Sequence, residues 1–253
     1  MAEFYSWVGE SLEDHSIDTL RYFRSLFEEG IIRILSGRFG WEISDIERFI
    51  VRLGPALHDV GKANMVYQET VKGAEIAKKD PWFTWHEVFS AHICWKLLDA
   101  LRFKGVVNKE TEDLRKMVLA SILFHHQGLR SLEYGLPPKV KLEAWDLPSL
   151  HVLLVRVLDE ASAGTLSRKF LEEAISKCLE EFKDEIVGYS NIREVFKRVH
   201  EYILEHRSVR LKLYSVISGP LIICDWLSAR KHRGGKGKNP LIDEVYYAYA
   251  LEE

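Results

Sequence analysis

Apolar residues recur at three- and four-residue intervals through most of this chain, and that rhythm constrains the fold more than any other feature. Between positions 44 and 57, Ile46, Phe49, Ile50, Leu53 and Leu57 fall at i, i+3, i+4, i+7 and i+11, one stripe of an α-helix. Ser44 and Glu47 open that segment at capping-box spacing, and Pro55 should bend or end the helix just before His58. Segment 86–103 carries Phe89, Ile93, Leu97 and Leu101 in the same rhythm. Segment 111–126 carries Leu114, Val118, Ile122 and His125, with Gly128 as its stop. Stretches 149–161, 165–187, 191–206 and 211–230 repeat the pattern. Alternation of period two is scarce, and Val140–Leu142 is the one strand candidate. The expectation is an all-α fold with few or no strands.

No Pro/Ser-rich linker or internal repeat divides the 253 residues, so 1–253 reads as a single compact helical domain. Two patches read as loops. Residues 129–148, holding Pro137, Pro138 and Pro148, would form a surface flap, and 231–240 form a basic loop with three glycines. A hydrophobic share of 47% with 29% charged residues excludes a disordered chain. Against 38 acidic residues stand 35 basic ones, a net −3, so no global field draws the protein onto nucleic acid. Any polyanion site must be local. Cys94, Cys178 and Cys224 are too few and scattered for a disulfide framework, which points to a reducing, cytoplasmic setting. Apolar stretches such as Val152–Leu158, interrupted by Arg156, fall well short of the roughly 18 residues that a membrane span needs. The first residues have neither the basic start nor the apolar core of a signal peptide.

The chemistry-bearing signal is Leu57-His58-Asp59-Val60-Gly61-Lys62. Neighbouring residues on a helix point about 100° apart, so His58 and Asp59 can face one metal only if the helix ends there. A carboxylate can also bridge two ions, which an imidazole cannot. Alone, a His-Asp pair is equally well read as structural. Here it is accompanied by the doublet His125-His126 at a helix end, His86 at a helix start, His15 in Glu13-Asp14-His15, and Asp225 in the apolar run Ile222–Leu227. An unpaired carboxylate in such surroundings is costly unless a cation or a salt bridge, for instance to Arg230, relieves it. Five imidazoles and two carboxylates on separate helices make a mixed N/O site for one or two transition metals.

These residues resemble the HD phosphohydrolase superfamily, and within it the HD nuclease of type I CRISPR interference in its standalone form, separate from the helicase. The resemblance is carried by His15, His58-Asp59-Val60-Gly61-Lys62 with Tyr67-Gln68, His86-Glu87 with Ser90-Ala91, His125-His126-Gln127-Gly128, and Asp225-Trp226 with Ser228. A helicase would also need a phosphate-binding G-x-x-x-x-G-K-[ST] loop, and none occurs. The resemblance implies a first metal held by His15, His58, Asp59 and Asp225. Asp59 would bridge to a second, completed by His86, His125 and His126. Asp159 competes for the final carboxylate. The ions would be divalent (Mn, Fe, Ni, Co or Mg).

By the same resemblance the chain is a metal-dependent nuclease of single-stranded DNA. A hydroxide shared between two ions about 3.5–4 Å apart would attack phosphorus, with Lys62 neutralising phosphoryl charge. A helicase subunit acting in trans and a guide-RNA surveillance complex would be its partners. Two other readings stand beside this one: a nucleotide or cyclic-nucleotide phosphohydrolase, and an inactive metal-binding adaptor that docks the helicase. Arg230, Lys231 and Arg233, with Lys236 and Lys238, read either as a solvated loop or as a phosphate-tracking one. Trp82, Phe83, Trp85 and Phe89 crowd around His86 as core or pocket wall. His92 points about 240° away from His86 and reads as packing or surface. His151, His200, His206 and His232 read as solvated.

Overall fold

The computed structural model describes residues 3–103, 105–106, 111–126, 145–186, 192–204 and 211–233. A short antiparallel hairpin comes first, β1 (Tyr5–Trp7) and β2 (Glu10–Ser11), with Tyr5 opposite Ser11 and Trp7 opposite Glu10. Helix α1 (Leu12–Phe23) follows at once, its Ser11 cap accepting from the Asp14 amide at 3.4 Å. A π-helical turn, Arg24–Glu28, joins it to α2 (Glu29–Phe39). Then come α3 (Asp45–Leu57), a 3₁₀ turn at Val60–Ala63, α4 (Met65–Ala77) and α5 (His86–Phe103). Helices α6 (Glu112–Phe124), α7 (Leu147–Ser162), α8 (Arg168–Ile186), α9 (Ile192–Leu204) and α10 (Leu211–His232) complete the described chain. Among the described residues the fold is all-α apart from the hairpin.

Helix α3 shows how sequence becomes structure. Ser44 Oγ accepts from the Ile46 amide at 3.2 Å, and Glu47 reaches back to the Ser44 amide at 2.9 Å, which closes the capping box. Phe49, Ile50, Leu53 and Leu57 are all fully buried, each contributing about 1.5–3 kcal/mol of apolar transfer. They pack α3 against α1, α6 and α7. Helix α5 has neighbours on several sides, α6, α8 and α9, and α10 lies across α1 and α6. One apolar core runs from Phe4 to Cys224. No described helix is long and apolar enough to cross a membrane.

Three expectations need correction or fall outside the description. The strands sit at the N-terminus, because runs of three and two residues are too short to show period two; Val140–Leu142 lies outside the described residues. Of the 129–148 flap, only 145–148 are described, and Asp146 there caps α7 through the Ser149 amide at 3.1 Å, with Pro148 in its first turn. The expected loop over 231–240 is corrected at its start. Lys231 and His232 still belong to α10, and 234–240 lie outside the described residues.

Candidate metal centre

Pro55 lies in the last turn of α3, which ends at Leu57. Asp59 then leaves helical geometry at φ −106, ψ −2. Because the helix stops, the Pro55 carbonyl takes no helical amide and instead accepts from His58 Nδ1 at 2.9 Å. The turn that follows presses onto α5. The Gly61 amide donates to Ser90 Oγ at 2.8 Å, and a Cβ on Gly61 would sit 2.1 Å from the His86 carbonyl. Only glycine fits there. Gln68 donates to the Lys62 carbonyl at 2.7 Å, and Tyr67 Oη donates to the Thr84 carbonyl at 2.7 Å, so the Tyr67-Gln68 pair braces the turn.

Asp59 lies at the centre of what this assembles. Its Oδ2 is 3.2 Å from His15 Nε2, 3.7 Å from His58 Nε2 and 2.6 Å from Lys62 Nζ. Its Oδ1 faces the other way, 2.8 Å from His86 Nε2 and 3.8 Å from His125 Nε2. Asp225 Oδ1, delivered by α10, lies 3.1 Å from His15 Nε2 and 3.6 Å from His58 Nε2. His126 Nε2 is 3.3 Å from His86 Nε2. Two groups of donors result, each with its atoms within 4.8 Å of one another: His15, His58, Asp59 and Asp225, and Asp59, His86, His125 and His126. Either can hold a metal ion.

The donors are fixed from behind. His86 Nδ1 and His125 Nδ1 each donate to a backbone carbonyl three residues earlier, Phe83 and Ile122, at 2.6 Å. Anchoring Nδ1 leaves Nε2 facing the centre, the arrangement that metal-ligating histidines require. His15 Nε2, His58 Nε2, His125 Nε2 and Asp59 Oδ1 are buried and, though close to one another, lack hydrogen-bond alignment with any protein group. Orphaned buried donors of this kind fit a divalent cation.

Charge within the centre is balanced by proximity. Burial pushes the Asp59 carboxyl up, but Lys62, His58 and His86 outweigh it and hold the group well below the usual carboxylate range. Asp225 behaves alike, burial being overcome by His15 and His58. Burial pushes the His58 imidazole down, and His126 further still. For His15 burial also acts downward, yet Asp225, Asp59 and Glu10 hold its pKa well above the ordinary value.

Every candidate ligand from the sequence, His15, His58, Asp59, His86, His125, His126 and Asp225, therefore lies in one of these two groups. Asp159 does not; it is exposed on α7. Of the aromatic wall, Phe83 packs edge-on to His86, and Lys62 Nζ lies 4.8 Å over its ring. Trp85 precedes His86 at φ 73, a left-handed conformation that costs about 1–3 kcal/mol in a bulky residue. His92 is fully buried, as packing predicts. Of the histidines read as solvated, His151 meets Ser176 Oγ at 3.2 Å, His200 stacks on Phe196, and His232 lies 2.8 Å from Asp18; His206 is outside the described residues.

The basic run is partly committed elsewhere. Lys231 donates to Asp18 at 2.8 Å, and Arg233 to Glu10 at 2.9 and 3.1 Å. Glu10 is the residue that sequence reasoning missed, since nothing in a spacing of five from His15 marks it as a partner.

The chain matches the family described as Cas3, HD domain, over residues 8–233, a span that includes both donor groups. No curated protein matches it. With that span covering most of the chain, and with His/Asp clusters able to hold divalent ions, the protein belongs to the Cas3 HD-domain family, metal-dependent hydrolases of CRISPR systems.

Proposed function

We propose that this chain cleaves single-stranded DNA with two divalent ions, His15, His58, Asp59 and Asp225 holding one and Asp59, His86, His125 and His126 the other. The observation that carries the reading is the split of Asp59, whose two oxygens face different donor sets. When bound, such ions activate water as a nucleophile and stabilise the leaving oxygen. The protein's own contribution is positional. Nδ1 anchors on His58, His86 and His125 hold Nε2 toward the centre. Lys62, a buried ammonium 2.6 Å from Asp59, supplies positive charge where phosphoryl oxygens become more negative, with no proton transfer needed. Arg230 and Lys231 lie five and six residues beyond Asp225 on the same helix and would meet the strand's phosphates by exchanging the contacts they now make, Lys231 that with Asp18. Arg233 is held by Glu10. Duplex opening falls to a helicase partner, and a guide-RNA surveillance complex would supply the displaced strand.

The test is hydrolysis of single-stranded DNA, duplex DNA and free nucleotides by the purified chain, metal-stripped and then supplied with Mn, Fe, Co, Ni or Mg. Metal-dependent cutting of single strands in preference to both others is the expected result. Preferential turnover of nucleotides or cyclic nucleotides would make the protein a nucleotide phosphohydrolase, and no turnover with metal bound would make it an adaptor.

A further inference from the structure

Three of the five imidazoles at the centre, those of His58, His86 and His125, rest Nδ1 on a backbone carbonyl three residues back. His58 and His125 can do so because helix ends leave carbonyls unpaired, and His86 because Phe83 lies in a loop. His15 sits in the first turn of α1, where the preceding carbonyls face into the helix and are taken by amides. Its Nδ1 lies instead 2.8 Å from Glu10 Oε1, delivered by β2, with Ser228 Oγ, which donates to the His15 carbonyl, farther off at 3.2 Å. Glu10 is only 1% exposed, so its charge is costly unless paired. Arg233 supplies the pair through Nε at 3.1 Å and Nη2 at 2.9 Å, both to Oε2. The Arg233 guanidinium in turn lies 4.2 Å over the Trp7 ring, on the neighbouring strand of the hairpin.

We propose that Glu10 is a positioning residue of the metal centre: it accepts from His15 Nδ1–H and so holds the ring with Nε2 aimed at Asp59 and Asp225, and Arg233, stacked on Trp7, holds Glu10. The inference rests on the metal reading given above. It assigns the N-terminal hairpin and the end of α10 a joint task, the aiming of one ligand. A carboxylate behind an imidazole also makes that ligand more basic than its carbonyl-backed neighbours. Glu10 does not touch the His86, His125 and His126 group, so its removal should weaken one ion more than the other.

Calorimetric titration of Mn²⁺ into the metal-free chain tests this, using Glu10→Ala, Glu10→Gln and Arg233→Met, with the Glu10 variants also made on a His15→Ala background. Glu10→Ala should weaken one binding step about 10- to 100-fold. Glu10→Gln should restore part of that, because its amide oxygen still accepts from Nδ1–H, and Arg233→Met should show a smaller loss in the same step. On the His15→Ala background the Glu10 variants should cost less than about twofold more, since Glu10 acts through His15. Separately, ¹⁵N–¹H spectra of the metal-free protein should show a hydrogen-bonded His15 Nδ1–H whose resonance Glu10→Ala shifts, Ser228 Oγ at 3.2 Å being the acceptor left. Wild-type affinity in Glu10→Ala, an equal loss without His15, or an unchanged Nδ1–H resonance would each overturn the proposal. A wild type that takes up no Mn²⁺ would instead overturn the metal reading, while the resonance still decides whether Glu10 holds His15. Should Glu10→Ala fail to fold, Glu10→Gln carries the same comparisons.

Discussion

Replacing Asp59 with alanine removes the one carboxylate common to both donor groups, so both ions should be lost together and hydrolysis with them. The side chain lies in the turn after α3 and not within the hydrophobic stripe, so helical content should survive. Metal analysis beside circular dichroism checks this; retention of either ion at full affinity would contradict the shared role. Lys62 makes the opposite case. It pairs with Asp59 but belongs to neither donor group, so Lys62→Met should keep metal binding within a few-fold and lower kcat by about 10²–10³, the usual cost of losing one transition-state charge partner. A fall in metal content parallel to activity would move Lys62 from charge stabilisation to site assembly. His92 gives a pH prediction independent of the centre. Burial drives its pKa from 6.5 down to about 3, so in that window the unfolded chain binds a proton that the folded one refuses. The folded pKa of this base is depressed, so stability is lost as pH falls below about 6.5 and the loss levels off near 3. Urea midpoints of metal-free protein should drop across the window, and His92→Leu should reduce the slope by up to about 1.4 kcal/mol per pH unit.

Two elements aim the ligands, the turn after α3 and the last turns of α10. Gly61→Ala would push a methyl group into the His86 carbonyl and the Ser90 amide, at 2.1 and 2.9 Å, both backbone atoms that cannot swing aside. The start of α5 must shift and carry His86 with it. About 1–3 kcal/mol of stability should be lost in thermal melts, together with affinity for the ion on the His86 side. Helix α10 is registered against α1 by Lys231 and His232 on Asp18, and its end against β2 by Arg233 on Glu10, and this register sets Asp225 beside His15. The cations that sequence reading placed in a flexible loop are thus partly structural. Arg230 and Lys231 can meet a strand only in competition with the contacts they already make, Lys231 with Asp18 at 2.8 Å. The double variant Arg230→Gln/Lys231→Gln should flatten the log Kd against log[salt] plot for single-stranded DNA by up to about 1.4, about 0.7 per contact, and should slow bis-(p-nitrophenyl) phosphate less than it slows the strand. An unchanged slope would place the strand elsewhere.

At the scale of the whole molecule, a single apolar core from Phe4 to Cys224 predicts one cooperative calorimetric transition, and two separated transitions would divide the chain into domains. Much of this architecture was legible from order alone. The stripe from Ile46 to Leu57, the Ser44/Glu47 box and the Pro55 stop are local effects, set by residues within one or two turns, and each appears where the spacing places it. The candidate ligands could be named from order only through the family resemblance, since a His-Asp pair by itself reads equally well as structural. The hairpin escaped because two or three residues carry no period, and the end of α10 was misread because its glycines lie just beyond the last helical turn. What sequence could not contain is which donors share a volume. His15 and Asp225 are 210 positions apart and meet at 3.1 Å only because α10 lies across α1. Glu10 gains its role only when the hairpin folds it behind His15 and Arg233 arrives to neutralise it. Local spacing determines helices and their ends, since those energies are paid between near neighbours. The metal centre was decided by tertiary packing, because burial and charge compensation act between residues that the chain keeps far apart.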